Sequence, residues 1–494
     1  MVGEEFGQYS ARIPLQAAPH IVHGNALRID WAEVLPPERC AYVLGNPPFV
    51  GSKLLSVAQR SDADLVFGGI GGAGLLDLVA AWYVKAARYM KGAEPPQAAP
   101  RCAFVSTNSI SQGEQVVLLW SWLLAQGVKI HFAHRTFRWS NEARGVAAVH
   151  CVIVGFGLDD HIGKTIYDYD DIRGEPHSIS AAHINPYLVD AADVLAVGEA
   201  RPICNVSPIV NGSIPADGGN LVLARDERDA LIAADSRARP FIRPYVGAED
   251  FIHGLERYCL WLPDCPPGLL RQMPAVIERV RRVRAKREAS AKAATRAKAA
   301  TPTLFTESRQ PASGHYLAVP RTSSENRRYL PIGFLPHTTI AANDLQIVPG
   351  ATGYEFGVLS SAMHMAWART TAGRLESRIR YSAKYTYNTF PWPESPTDAQ
   401  RAAIEAAAQG VLDARAQFPG STLADLYDPL TMPPPLLNAH RKLDAAVDAA
   451  YGGKGMKTDA ERVAFLFELY QRITSLLHAA AAPWRAPRPR AARS

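Results

Sequence analysis

The chain has 494 residues, 47% of them hydrophobic, which is enough for several packed cores and two to four domains. A net charge of +6 and a pI near 8.9 suit a polyanionic partner without requiring one. Six scattered cysteines (Cys40, Cys102, Cys151, Cys204, Cys259 and Cys265) without CxxC spacing argue against a disulfide framework and a zinc site. They read as reduced thiols of a cytoplasmic protein. No signal-peptide core and no membrane-length apolar run is present, so a soluble chain without a membrane partner is expected.

In chain order, the first third alternates strand-like and helix-like segments. HIVHGNALRIDW predicts a short strand and a turn. AYVLG predicts a second strand that must stop at Asn46, because the two prolines after it cannot donate to a ladder. Val50 to Gly74 reads as a loop. Its Gly-rich FGGIGGAGLL follows no strand, which makes it a mobile stretch rather than a phosphate or cofactor cradle. LLDLVAAWYVKAARYM predicts a helix, CAFVST a third buried strand, and GEQVVLLWSWLLAQG a further helix. KIHFAHR and AAVHCVIVGF form a closing strand pair. The alternation predicts an α/β fold with a mostly parallel, doubly wound sheet.

Beyond about Asp170 the pattern changes. LVLA, YCLWL, HYLAVP and LQIV are short strand candidates among many turns. One long basic helical stretch, Arg271 to Lys298, holds ten Lys or Arg against two Glu. FPWPESP at 390–396 reads as a hinge, and Ala-rich helices flank the Pro-rich turn DPLTMPPP. WRAPRPRAARS is expected to be a disordered basic tail.

The stretch LGNPPFV, Leu44 to Val50, carries the chemistry. An exocyclic amine on a nucleobase is a weak nucleophile, because its lone pair is delocalised into the ring. Two acceptors that hold both N–H bonds shift the nitrogen toward tetrahedral geometry as it attacks. Asn46 Oδ1 and the Pro47 carbonyl offer such a pair on a backbone stiffened by Pro48, and Phe49 can stack on the base. A base reaches such a pocket only by leaving the duplex. The chemistry needs no metal. The plainer alternative is a proline-stiffened turn.

IVHGNALRIDW, VLGNPPFVGSK, GLLDLVAAWYVKAA, FVSTNSISQGEQ and FAHRTFRWSNEARGVAAVHCVIVGF follow one another as do the later motifs of S-adenosylmethionine-dependent N6-adenine DNA methyltransferases. With FIRPYVGAEDFI, PRTSSENRRYLPIGF, FGVLSSAMHMAWART and ADLYDPLTMPPPLL, nearly the whole chain resembles the type IIL restriction–modification methyltransferases, often called MmeI-like. The resemblance implies a partial class I methyltransferase (Rossmann-like) sheet over 1–170 and a mixed α+β target recognition domain over 171–392. A helical C-terminal domain over 393–480 and the tail at 481–494 complete it. It further implies methyl transfer from S-adenosyl-L-methionine to N6 of a flipped adenine in double-stranded DNA, within a restriction–modification system.

Residue by residue, Asn46, Pro47, Pro48 and Phe49 match the family's catalytic motif. Asn25 matches the place where relatives, many with Asp, bind the adenine ring of the cofactor. Phe137 or Trp139, in RTFRWSN, is expected to supply the opposite face of the base sandwich, with hairpin packing an equal alternative. The family's first, glycine-rich cofactor motif has no counterpart before His23, and neither does its nuclease. The chain therefore reads as the C-terminal portion of a longer protein, with a separate N-terminal methyltransferase/nuclease subunit as a candidate partner. An exposed central strand edge is expected to accompany that.

With DNA in view, the basic stretch from Arg271 to Lys298 is either a phosphate contact or a solvated helix face. Arg321, Ser324, Glu325, Asn326, Arg327 and Arg328 of RTSSENRR are types that read base edges, against the alternative of a polar turn. Arg374, Arg378 and Arg380, in GRLESRIRYSAKYTYNTF, suit backbone contact beside stacking aromatics. His364 and Trp367 read as packing. Two rival functions stay open: a non-catalytic DNA-binding specificity subunit or remnant, and methylation of a protein glutamine amide.

Overall fold

The computed structural model describes residues 20–94, 99–139, 149–169, 171–375, 377–453 and 456–481, with only the backbone at 139, 149 and 476–481. A six-stranded sheet opens the chain: β1 (Tyr42–Gly45), β2 (Arg101–Thr107), β3 (Lys129–Trp139), β4 (Val149–Gly157), β5 (Lys164–Asp168) and β6 (His177–Ala181). Its order is β1-β2-β4-β3-β5-β6. Only β1–β2 and β3–β5 are parallel, so the sheet is mixed rather than mostly parallel. The β3/β4 hairpin inserts β4 against the direction of its neighbours, and β6 at the far edge runs the same way as β4. β1, β2, β3 and β5 therefore run one way, and their C-terminal ends share one edge of the sheet.

The helices α1 (Val57–Phe67), α2 (Ala80–Lys91) and α3 (Gly113–Ala125) accompany this sheet. Tyr83 of α2 stacks on Phe156 and meets Phe104 and Trp120 edge-on, so one sheet face is sealed by an aromatic cluster. The opposite face is open among the described residues. Tyr42, Leu44, Ala103, Phe132, Gly155 and Tyr167 line a cleft of about 400 Å³ there. Tyr42 is 67% exposed and Leu44 74% on this open face, and β1 pairs only with β2 among the described residues.

Two local expectations fail. Residues 20–23 are exposed and form no strand, and none of the described strands pairs with them. The supposed loop from Val50 to Gly74 contains α1, started by a capping box in which Ser56 and Gln59 bond reciprocally.

Past β6 come β7 (Val210–Asn211), β8 (Val222–Leu223), β9 (Ile242–Val246), β10 (Tyr258–Leu260), β11 (His315–Pro320) and β12 (Thr322–Ser323). Then follow β13 (Gly333–Pro336), β14 (Ile340–Ala341), β15 (Leu345–Pro349), β16 (Gly373–Leu375) and β17 (Arg378–Arg380). They assemble as β14-β9-β10-β8, β13-β11-β15-β7 and β12-β17-β16. The basic stretch is not one helix but α4 (Pro274–Glu288) and a separate turn at Ala293–Ala297. Val276, Val280, Val283 and Arg287 recur on one α4 face and are buried, while Arg281, Arg282, Arg284 and Lys286 face solvent.

The helices α5 (Ala362–Thr371), α6 (Asp398–Ala416), α7 (Pro434–Ala450) and α8 (Asp459–Ala481) share a core with the sheet domain and with residues 317–392. FPWPESP is no hinge: Phe390 and Trp392 are buried, and Tyr451 Oη donates to the Pro391 carbonyl at 2.9 Å. All six cysteines are free thiols. Among the described residues no helix is long and apolar enough to cross a membrane.

Candidate active site and recognition surface

Asn46 directly follows β1, at the edge where β1, β2, β3 and β5 end. Its side chain is exposed and forms no hydrogen bond among the described residues, while Pro47 beneath it is buried and Phe49 is half-buried. The loop that follows is tied down. Asp77 Oδ1 accepts from Ser52 N at 2.8 Å, Leu78 N donates to the Val50 carbonyl at 3.0 Å, and Gln115 Oε1 accepts from Asp77 N at 3.0 Å. A free amide on an anchored, proline-stiffened turn is an acceptor pre-aimed at a ligand.

Asn25 is differently placed. Its Oδ1 accepts from Leu27 N at 3.0 Å and its Nδ2 donates to Asp62 Oδ2 at 2.7 Å, with Arg28 closing on the same carboxylate at 2.6 Å. Both polar groups thus serve an Asx-turn and a clip onto α1. Phe137 stacks on Tyr169, with centroids 5.4 Å apart, and meets His134 edge-on. Two strands separate β3 from β1, an offset of about 14 Å at ordinary strand spacing. Phe137 therefore has a packing partner of its own. The Trp139 side chain lies outside the described residues.

Strand pairing joins the two recognition segments that are about fifty residues apart in sequence. Thr322 pairs with Arg380 and Ser323 with Ile379, while Arg374 lies opposite Ile379 and Leu375 opposite Arg378. The two-residue alternation presents Arg378, Arg380 and Leu375 on the exposed face and turns Arg374 and Ile379 inward. Arg321 is half-buried; burial and the Arg380 charge both lower its proton affinity. Asn326 and Arg328 are exposed, with the Arg328 guanidinium 5.8 Å from the Tyr329 ring centre. Ser324 Oγ caps the turn by accepting from Asn326 N at 3.3 Å, and Arg327 Nη1 reaches Ser323 Oγ at 3.3 Å. Glu325 is half-buried, and its charge is felt by both His150 and Arg374.

Arg374 is the surprise of this set. Its Nε donates to Gln112 Oε1 at 2.9 Å and its Nη2 to the Arg369 carbonyl at 3.0 Å, joining the hairpin to the loop after β2. Gly113, at φ +65°, permits the approach: a Cβ there would stand 2.9 Å from Gly373 Cα. Sequence reasoning missed Gln112, Arg135 and Arg369. The one available signal was a charged residue ending the otherwise apolar helix AMHMAWART. His364 and Trp367 pack as expected: His364 Nε2 bonds to Tyr381 Oη at 2.8 Å, and Trp367 Nε1 donates to the Thr386 carbonyl at 3.1 Å.

The fold and the site so described belong to a chain that matches known protein families over most of its length. Family models of the MmeI DNA-methyltransferase domain, target recognition domain and C-terminal domain match residues 1–168, 190–394 and 396–478. The three models span most of the chain, which belongs to the MmeI family. DNA methyltransferase A of Bacillus subtilis (strain 168) is 38% identical over 465 residues, covering 94% of this chain and 51% of that protein. The type IIL restriction–modification enzyme MmeI, solved in complex with DNA, is 50% identical with a TM-score of 0.83. That match covers 96% of this chain and 62% of the solved one. The chain thus spans about half the length of the curated relative it matches.

Proposed function

We propose that the chain is the catalytic and target-recognising part of a site-specific DNA methyltransferase of a restriction–modification system, acting on N6 of a flipped adenine. The observation that carries this is the unpaired, exposed Asn46 amide on the anchored turn Asn46-Pro47-Pro48-Phe49. In this mechanism Asn46 Oδ1 and the Pro47 carbonyl accept the two amino N–H bonds, and Phe49 lies against the ring. As the nitrogen lone pair leaves conjugation and bonds to the methyl carbon, the donor's carbon–sulfur bond would break with its electron pair kept by sulfur, and the nitrogen would then lose one proton to solvent. Acceptors fixed in advance stabilise the positive charge that develops on nitrogen. Arg321, Ser324, Glu325, Asn326, Arg327, Arg328, Arg374, Arg378 and Arg380 are the DNA-binding candidates, of which Asn326, Arg328, Arg378 and Arg380 are exposed.

S-adenosyl-L-methionine is the methyl donor in this reading. The described residues do not by themselves fit it: both polar groups of Asn25, the one candidate holder, are engaged by Leu27 N and Asp62. We propose that a separate subunit completes that site, seated against the open edge of β1. The exposed Tyr42 and Leu44 and the length of the relatives support this. The domain limits we propose remain 1–170, 171–392 and 393–480, with a tail at 481–494.

The test is Asn46→Ala in a cofactor-competent assembly, read as N6-methyladenine in digested DNA. Methyl transfer is expected to fall by at least about 10²-fold, with DNA affinity largely unchanged. Normal methylation by the variant would sink the mechanism. A second reading, a DNA-binding subunit without turnover, is favoured by the engaged Asn25. S-adenosylmethionine binding and methylation by the chain alone would exclude it.

A further inference from the structure

A cleft of about 230 Å³ opens at the sheet edge that also carries Asn46. Its walls come from the loop after β2 (Ser111, Gln112), the ends of β3 and β5 (Arg135, Thr136, Asp168), α5 (Arg369, Thr370), β16 (Arg374) and the start of α8 (Asp459). Three arginines therefore meet there, and their charges are not equally satisfied. Arg135 is paired with Asp168 at 2.6 Å, and its Nε donates to the Leu188 carbonyl at 2.9 Å. Arg369 is paired with Asp459 at 2.5 Å, and its Nη2 donates to the Arg327 carbonyl at 3.1 Å. Arg374 has no carboxylate partner among the described residues. Its bonds go to neutral acceptors, Gln112 Oε1 and the Arg369 carbonyl, and its Nη1 is buried with no partner among the described residues.

An unpaired, desolvated guanidinium is costly, because the cation loses water and gains no counter-charge. Burial and the neighbouring Arg369 charge pull Arg374 down to about 10, and Glu325 offsets this only through its field. Such an arrangement lacks one anion. Gln112 orients the guanidinium and also reaches Thr136 Oγ1 at 3.5 Å, which leaves the threonine hydroxyl proton free to donate. The opposite face of the same hairpin carries Arg378 and Arg380, which adds exposed positive charge to the element that supplies Arg374.

We propose that this cleft is a phosphodiester-binding site, in which Arg374 takes one backbone phosphate of the substrate DNA. The inference rests on the DNA-methyltransferase reading and adds a fixed anchor to it. One phosphate gripped at the catalytic edge sets the register of the strand, so the flipped base arrives at Asn46 rather than a neighbour. Arg374 specifies no base; it positions the strand.

The test is a coupling experiment with the full chain and a set of duplexes, each carrying one neutral methylphosphonate near the target adenine. In the unaltered protein, a single methylphosphonate position is expected to weaken binding about tenfold or more. With Arg374→Met that position becomes silent, while all other positions keep their effects, and the salt slope of binding drops by about 1. Arg374→Lys, which keeps the charge and loses the fork, is expected to restore part of the coupling; it also covers a Met variant that folds poorly. A second arm adds inorganic phosphate alone. Phosphate-dependent stabilisation lost in Arg374→Met, but with no coupled duplex position, would overturn the DNA assignment in favour of a free oxyanion. Effects of Arg374→Met and of every methylphosphonate that simply add would overturn the site itself. Absence of DNA binding by the unaltered chain would instead remove the underlying function.

Discussion

Arg287 lies in the middle of a run of cations that invites assignment to DNA, yet its guanidinium is fully buried. It donates to five carbonyls: Pro215 (2.7 Å), Ala216 (3.2 Å), Lys298 (3.0 Å), Thr301 (3.0 Å) and Leu304 (2.7 Å). One side chain thus ties α4 to the strap at 215–216 and to the turn at 298–304. Arg287→Met keeps the stem and the helix propensity but strands these acceptors. A hydrogen bond from a charged donor contributes about 1.5–3 kcal/mol. Allowing for carbonyls that regain water and for the saved desolvation of the cation, a net loss of about 3–5 kcal/mol is expected. In urea unfolding the midpoint should fall, and hydrogen exchange should accelerate at 215–222 and 298–304. The paired Arg281→Ala, Arg284→Ala variant alters only the solvent face, so its stability should stay within about 0.5 kcal/mol. Its DNA salt slope should shrink by about 2 if that face meets phosphate. An unchanged midpoint for Arg287→Met, or an equal fall for the paired variant, would refute the assignment of Arg287 as a structural clip.

Two further outcomes concern acid and the domain junction. His364 and His440 are buried and neutral; burial holds His364 down to about 3 and takes His440 well below its ordinary value. Their folded affinities for protons are depressed, so the unfolded chain binds more protons below its own pKa of about 6.5, and stability is lost as the pH falls. Between about pH 6.5 and 5 each histidine removes up to about 1.4 kcal/mol per unit, and His364→Gln should flatten the pH dependence of the urea midpoint. A midpoint flat from pH 7.5 to 5 would contradict the buried neutral state. Gly113→Ala forces a side chain into left-handed backbone and against Gly373. A cost of about 1–3 kcal/mol is expected, with faster exchange in the β16–β17 hairpin; unaltered exchange there would mean the two domains do not depend on this contact.

Much of the site is local and for that reason legible in the chain. Two prolines end β1 whatever surrounds them, and the bare amide before them needs no distant partner to be recognised. The β3/β4 pair and α3 follow equally from β-rich runs and an apolar helix. Where competing local signals met, burial decided. FPWPESP has the composition of a hinge, but Phe390 and Trp392 gain more from the core than the prolines give up in freedom. The Ser56–Gln59 capping box was present in the sequence and outweighed the glycines after α1.

By itself, then, the sequence determined β1 to β4 with the helices α2 and α3 among them, the stop at Asn46, the basic character of the middle region and the family resemblance. All of these reside in neighbouring residues or in composition. Tertiary structure alone decided which of the arginines face solvent. Arg287, Arg374 and Arg378 are chemically identical in sequence. One is enclosed by five carbonyls, one is held at a cleft by Gln112, and one stands on an exposed hairpin face. The difference comes from strand register and from contacts across hundreds of residues. A charge has its role set by the dielectric and the partners around it, and those exist only once the chain has folded.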